Sequence, residues 1–130
     1  LASHQSAEVS CPSGSYYVED GALEIQTGYC NYLALEQASL VAVTQGDQIE
    51  LLMFHADLDA PEPAELHLAL LWDDEVAWER TSTIPGSAQV FDLSWSAPQD
   101  RPAGSRLVLH LHNHGFNSYK FVALDVRSAP

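Results

Sequence analysis

At 130 residues the chain is long enough for one domain with a real core and too short for two. Hydrophobic residues make up 46% and charged residues 18%, which excludes a disordered chain and a coiled coil. Five Lys and Arg against 18 Asp and Glu give a formal net charge of −13, which argues against nucleic acid or an anionic membrane as partner, since both are gripped by clustered cations. No apolar run approaches the roughly 20 residues of a membrane span.

Residues 2–10 are polar and read as a flexible lead-in of the kind that follows a signal cleavage site. Cys11 and Cys30 bracket a short segment without metal-ligand spacing, so a structural disulfide is expected, worth about 3 kcal/mol through loop closure. An oxidising compartment follows, secreted or periplasmic after removal of a signal peptide. Between the cysteines, Tyr17-Val18-Glu19 and Ala22-Leu23-Glu24-Ile25 flank Asp20-Gly21, the signal for a tight hairpin.

Strands are then expected over residues 32–36 and 40–43, followed by a turn at Gln45-Gly46-Asp47. Over residues 48–56, Ile49, Leu51 and Met53 share one face and Glu50, Leu52 and Phe54 the other. Both faces are largely apolar, predicting a central strand covered on both sides near its middle. A Pro-rich loop (residues 59–64) leads to a strand over residues 65–72. Asp73-Asp74 turns into residues 76–81, Ile84-Pro85-Gly86 punctuates, and further strands are expected over residues 89–95, 106–113 and 119–127. Trp72, Trp78 and Trp95 are core by pattern, and His55 and His67, each alone in an apolar strand, read as hydrogen-bonded core or edge residues. Nine or ten short strands with frequent turns predict an all-β, antiparallel β-sandwich, jelly-roll-like, occupying residues 11–130 as one domain.

The densest functional group is His110-Leu111-His112-Asn113-His114-Gly115. Strand alternation sends Leu107, Leu109 and Leu111 inward and His110, His112 and His114 outward. With Val122, Leu124 and Val126 as the inward set of the next strand, a hairpin over residues 106–127 would place Tyr119 and Phe121 beside His110 and His112. Three readings stay open for this patch. Rings and imidazoles, with Asn117, could bind carbohydrate. His110 and His112, with a third ligand such as His67 or His55, could hold zinc or copper. The histidines could instead merely cap a tight loop shaped by Asn113, Gly115 and Asn117. Asp57, Asp59 and Glu62, or Asp73, Asp74 and Glu75, are candidates for structural calcium, but neither run has the spacing of a calcium loop.

Residues 43–51 resemble the V-x-x-G-D opening of cupredoxins, but Met53 is the sole Met and no Cys follows Cys30, which excludes a blue copper site. His110-Leu111-His112 resembles the copper ligands of copper/zinc superoxide dismutase, whose other ligands have no counterpart. The strand rhythm and residues 117–126 are similar to jelly-roll carbohydrate-binding modules and their closing strand; residues 60–65 with residues 110–115 resemble domains of secreted bacterial proteins of uncharacterised function. The carbohydrate-binding-module resemblance implies a sandwich that acts by binding. No nucleophile elbow, phosphate-cradling loop or HExxH is present, so a non-catalytic role is expected. The expected function is extracellular carbohydrate recognition through His110, His112, Asn117, Tyr119 and Phe121. Two alternatives are a self-assembling subunit of a filament or surface layer, pairing through sheet edges or the N-terminal arm, and a zinc or copper protein using His110, His112 and His67.

Overall fold

A computed structural model describes residues 11–28 and 30–130. The expected lead-in over residues 1–10 lies outside the described residues. A short 3₁₀ turn, Ser13–Ser15, precedes nine strands: β1 (Tyr16–Glu19), β2 (Ala22–Gln26), β3 (Tyr32–Ala38), β4 (Gln48–His55), β5 (Ala64–Trp72), β6 (Glu75–Ile84), β7 (Gln89–Ser96), β8 (Arg106–His112) and β9 (Ser118–Arg127).

They form two antiparallel sheets. One has the order β1-β2-β9-β4-β7, the other β3-β8-β5-β6. Apart from β1, this is a four-on-four jelly roll: β2-β9-β4-β7 faces β3-β8-β5-β6, and the chain crosses repeatedly from sheet to sheet. The fold is therefore the expected sandwich. Ile25, Leu51, Met53, Phe91 and Tyr119 of the five-stranded sheet meet Leu33, Leu66, Leu68, Leu109 and Leu111 of the other in one buried core. A smaller cluster of Val43, Ile49, Trp72 and Ala97 closes one end.

Local chemistry explains the turns. Asp20 (φ 51°) and Gly21 (φ 77°) adopt the two positive φ values of a two-residue hairpin joining β1 to β2. Asp73 (φ 49°) and Asp74 (φ 67°) do the same between β5 and β6, aspartate tolerating the left-handed region better than most side chains. Cys11 and Cys30 form the expected disulfide, which staples the ends of the segment carrying the β1–β2 hairpin.

Two local expectations need correction. Residues 40–43 are not a strand: Leu40 and Val41 are exposed, and only Val43 bridges, to Arg101. A single inward side chain gives such a segment too little to bury for a ladder. β4 is central, between β9 and β7, but is covered on one face only; Phe54 lies open on the other, with Leu52 half-buried.

Candidate functional site

The expected hairpin over residues 106–127 does not form. β8 pairs with β3 and β5, whereas β9 pairs with β2 and β4 in the opposite sheet. His110 and His112 are therefore not cross-strand neighbours of Tyr119 and Phe121. Half of the geometry holds, since Leu109 and Leu111 enter the core and His110 and His112 lie on the opposite face of β8. The other half is reversed by a bulge. β9 is in register with β4 through Met53↔Phe121 and then Leu52↔Ala123, leaving Val122 as the extra residue. One added residue flips the alternation, so Tyr119 and Phe121 face inward along with Leu124 and Val126.

Tyr119 is 1% exposed, and burial raises its hydroxyl pKa well above the usual tyrosine value. Its hydroxyl donates to Asn113 Oδ1 at 2.6 Å. Asn113, 0% exposed, donates from Nδ2 to Thr27 Oγ1 (2.8 Å) and to the Gly115 carbonyl (2.9 Å). Asn117 Nδ2 donates to Asn113 Oδ1 and to the carbonyls of His114 and Asp59, while Asn117 Oδ1 accepts from Asp59 N–H. Asn117 and Tyr119 thus belong to a buried polar network that ties together the loops at one end of the sandwich. Gly115 (φ 85°) lies so close to the Asp59 carbonyl and Ala60 that no Cβ would fit.

The histidines lie on the outer face of the four-stranded sheet. His112 stands between Tyr32 and His67, and His110 between Ala34 and Ala69. His110 packs edge-on against His67 (ring centres 4.9 Å) and Tyr32 (5.0 Å) and is 1% exposed. His67 Nε2 lies 2.9 Å from Glu79 Oε2, beside an open hollow lined by His67, Glu79, Arg80 and Thr81. His55 is buried in the core between Phe91 and Tyr119, with Nδ1 2.7 Å from the Ala56 carbonyl. Among the described residues, no group of three or more His, Cys, Asp and Glu side chains is arranged to hold a metal ion, the His67–His110–His112 set included. The acidic runs have other occupations. Asp73 and Glu75 pair with Arg101, and Asp74 and Glu36 with Arg106, whose pKa rises chiefly through its hydrogen bond to Glu36. Asp57 accepts from Ala88 N–H and Asp59 from Ala60 N–H.

The open face is on the other sheet. Register alone places Tyr17, Glu24, Lys120, Phe54 and Val90 side by side in one row crossing all five strands. Phe54 is 38% and Tyr17 42% exposed, three strand spacings or roughly 14 Å apart. Between them Lys120 Nζ lies 6.0 Å from the Phe54 ring centre and 4.0 Å from Glu24. The flanking rows are polar: Gln26 with Ser118 on one side, Leu52 with Asp92, then Glu50 with Asp125 and Ser94 on the other. Alternation along β4 separates Phe54 and Leu52 from Met53, but their side is open to solvent rather than covered as expected. The Glu50 and Lys120 positions that share it were the signal of solvent.

The sequence matches no protein-family model and no curated protein. Solved structures do resemble the fold. A CBM4 carbohydrate-binding module superposes with a TM-score of 0.50 at 14% identity, over 92% of this chain and 77% of its own. An arabinose-bound GH51 α-L-arabinofuranosidase aligns with 93% of this chain at a TM-score of 0.48 and 10% identity, the chain spanning 25% of that enzyme. The chain therefore has a carbohydrate-binding-module-like fold.

Proposed function

We propose that this chain is an extracellular, non-catalytic carbohydrate-binding domain whose ligand lies across the outer face of the five-stranded sheet. The observation that carries this reading is the exposed row from Tyr17 to Phe54. Aromatic faces pack against the C–H faces of sugar rings, while neighbouring polar groups hydrogen-bond the hydroxyls. Phe54 and Tyr17 supply two platforms, and Glu24, Lys120, Gln26 and Asp92 supply polar partners around them. The carbohydrate-binding-module-like fold supports the same reading, and the disulfide supports an oxidising compartment, secreted or periplasmic.

The charge on this face selects the class of glycan. Glu19, Glu24, Glu50, Asp92 and Asp125 outnumber Lys120 and Arg127, so uronate or sulfate groups would be repelled. A neutral chain fits. Affinity electrophoresis of the chain through gels containing neutral or anionic polysaccharides tests this. Retardation by a neutral glycan should weaken on the order of thirtyfold in Phe54→Ala, the loss of about 2 kcal/mol expected of a central aromatic contact. Tyr17→Ala should weaken it too, and Tyr119→Phe should not. Retardation by no glycan, or unchanged retardation in both aromatic variants, overturns the proposal.

A further inference from the structure

The spacing of two imidazoles at the end of β8 carries an inference independent of the glycan face. A strand advances about 3.3 Å per residue, so His110 and His112 are set roughly 6.6 Å apart along it. β8 ends at His112, and beyond it the chain turns through Asn113 and His114 to Gly115. The turn brings the His112 and His114 rings to 5.0 Å between centres, 48° between planes. Two imidazoles bound to one ion, with metal–nitrogen bonds of about 2.0–2.1 Å and a tetrahedral angle, have ring centres roughly 5 Å apart.

The residue between them holds this spacing. Asn113 is fully buried, its N–H donates to the Asn31 carbonyl at 2.9 Å, and its side chain is bonded to Thr27, Gly115, Asn117 and Tyr119. The backbone that carries the two histidines is therefore fixed from inside, while His114 is exposed and His112 half-buried. A chelating pair held by a rigid backbone loses little freedom when an ion binds. The overall charge of −13 adds a field that draws cations to the surface.

We propose that His112 and His114 form a two-imidazole chelate for a borderline divalent cation of the zinc, copper or nickel class, its remaining coordination positions filled by water or an incoming ligand. His67 and His110, whose rings are as close at 4.9 Å, take no part because both are buried, at 3% and 1% exposure, and His67 contacts Glu79, whereas His114 is open to solvent. Hard cations such as calcium and magnesium, which prefer oxygen ligands, do not bind at this pair.

Calorimetric titration of the oxidised chain with zinc and with copper(II) salts tests this. One equivalent should bind, weakening on acidification because protons compete for imidazole nitrogen. Binding should be lost in His114→Ala, whose exposed side chain can be removed without disturbing the core, and in His112→Ala, and retained in His67→Ala. Magnesium in place of zinc should give no heat. Circular dichroism of each variant reports whether the fold is kept, and His112→Gln replaces His112→Ala if the latter unfolds. Absence of binding, or binding that survives His114→Ala, overturns the proposal.

Discussion

Replacing Asn113 by alanine should destabilise the chain strongly. Its side chain makes four hydrogen bonds in a site from which water is excluded. Their loss is uneven. Thr27 Oγ1 still accepts from Asn117 N–H, the Asn117 carbonyl still accepts from Thr27 N–H so that the Thr27 hydroxyl is free to donate to the Gly115 carbonyl, and Asn117 Nδ2 still reaches the Asp59 and His114 carbonyls. The Tyr119 hydroxyl, bonded to Asn113 alone among the described residues, is left buried without a partner, at a cost of about 1–3 kcal/mol. With the small cavity added, about 3–4 kcal/mol should be lost. Urea denaturation read by tryptophan fluorescence measures it. The same argument fixes the sign of a double-mutant cycle. Tyr119→Phe alone should cost about 1 kcal/mol, whereas in an Asn113→Ala background it should cost nothing or stabilise, since it removes the orphaned hydroxyl. A loss below about 1 kcal/mol for Asn113→Ala, or an equal cost of Tyr119→Phe in both backgrounds, would refute the network account.

Two further outcomes follow from the same end of the molecule. Burial holds the Tyr119 hydroxyl pKa above its ordinary tyrosine value, so the unfolded chain releases this proton first as pH rises. Its contribution to stability is complete below about pH 10 and is lost progressively above it; equilibrium unfolding in alkaline buffers should show that decline, and Tyr119→Phe should flatten it. Gly115→Ala would drive a Cβ into the Asp59 carbonyl oxygen and Ala60 at a φ of +85°, forcing the two loops apart. A loss of about 3 kcal/mol is expected in thermal unfolding, and a variant as stable as the parent would contradict the close approach.

Much of the fold was legible because each strand carries its own alternation. Asp20-Gly21 and Asp73-Asp74 announced their hairpins, and the cysteines their bond, through purely local chemistry. What alternation does not encode is which sheet a strand joins. β8 and β9 are consecutive, and adjacency in sequence favours pairing, yet in a jelly roll they lie on opposite sides of the core. The bulge at Val122 is equally hidden: Val122, Leu124 and Val126 form a flawless period of two, and only the register against β4 shows that Val122 is the extra residue. Asn113, Gly115 and Asn117 read as loop formers, which they are. Their principal partner, Thr27, is about 90 residues away along the chain, so the network could not be seen from the loop itself.

The Cys11–Cys30 bond encloses β1 and β2, a hairpin attached to the rest of its sheet by the short β2–β9 ladder alone. That hairpin shields the flank of β9 and also carries Tyr17, one of the two aromatic supports of the open row. Opening the bond in a reducing environment would therefore loosen both together, baring the Ser118–Phe121 stretch of β9 to sticky neighbours and, under the proposed function, removing one of the two aromatic platforms. Recognition of this kind would be confined to places where thiols stay oxidised, with no separate regulator required.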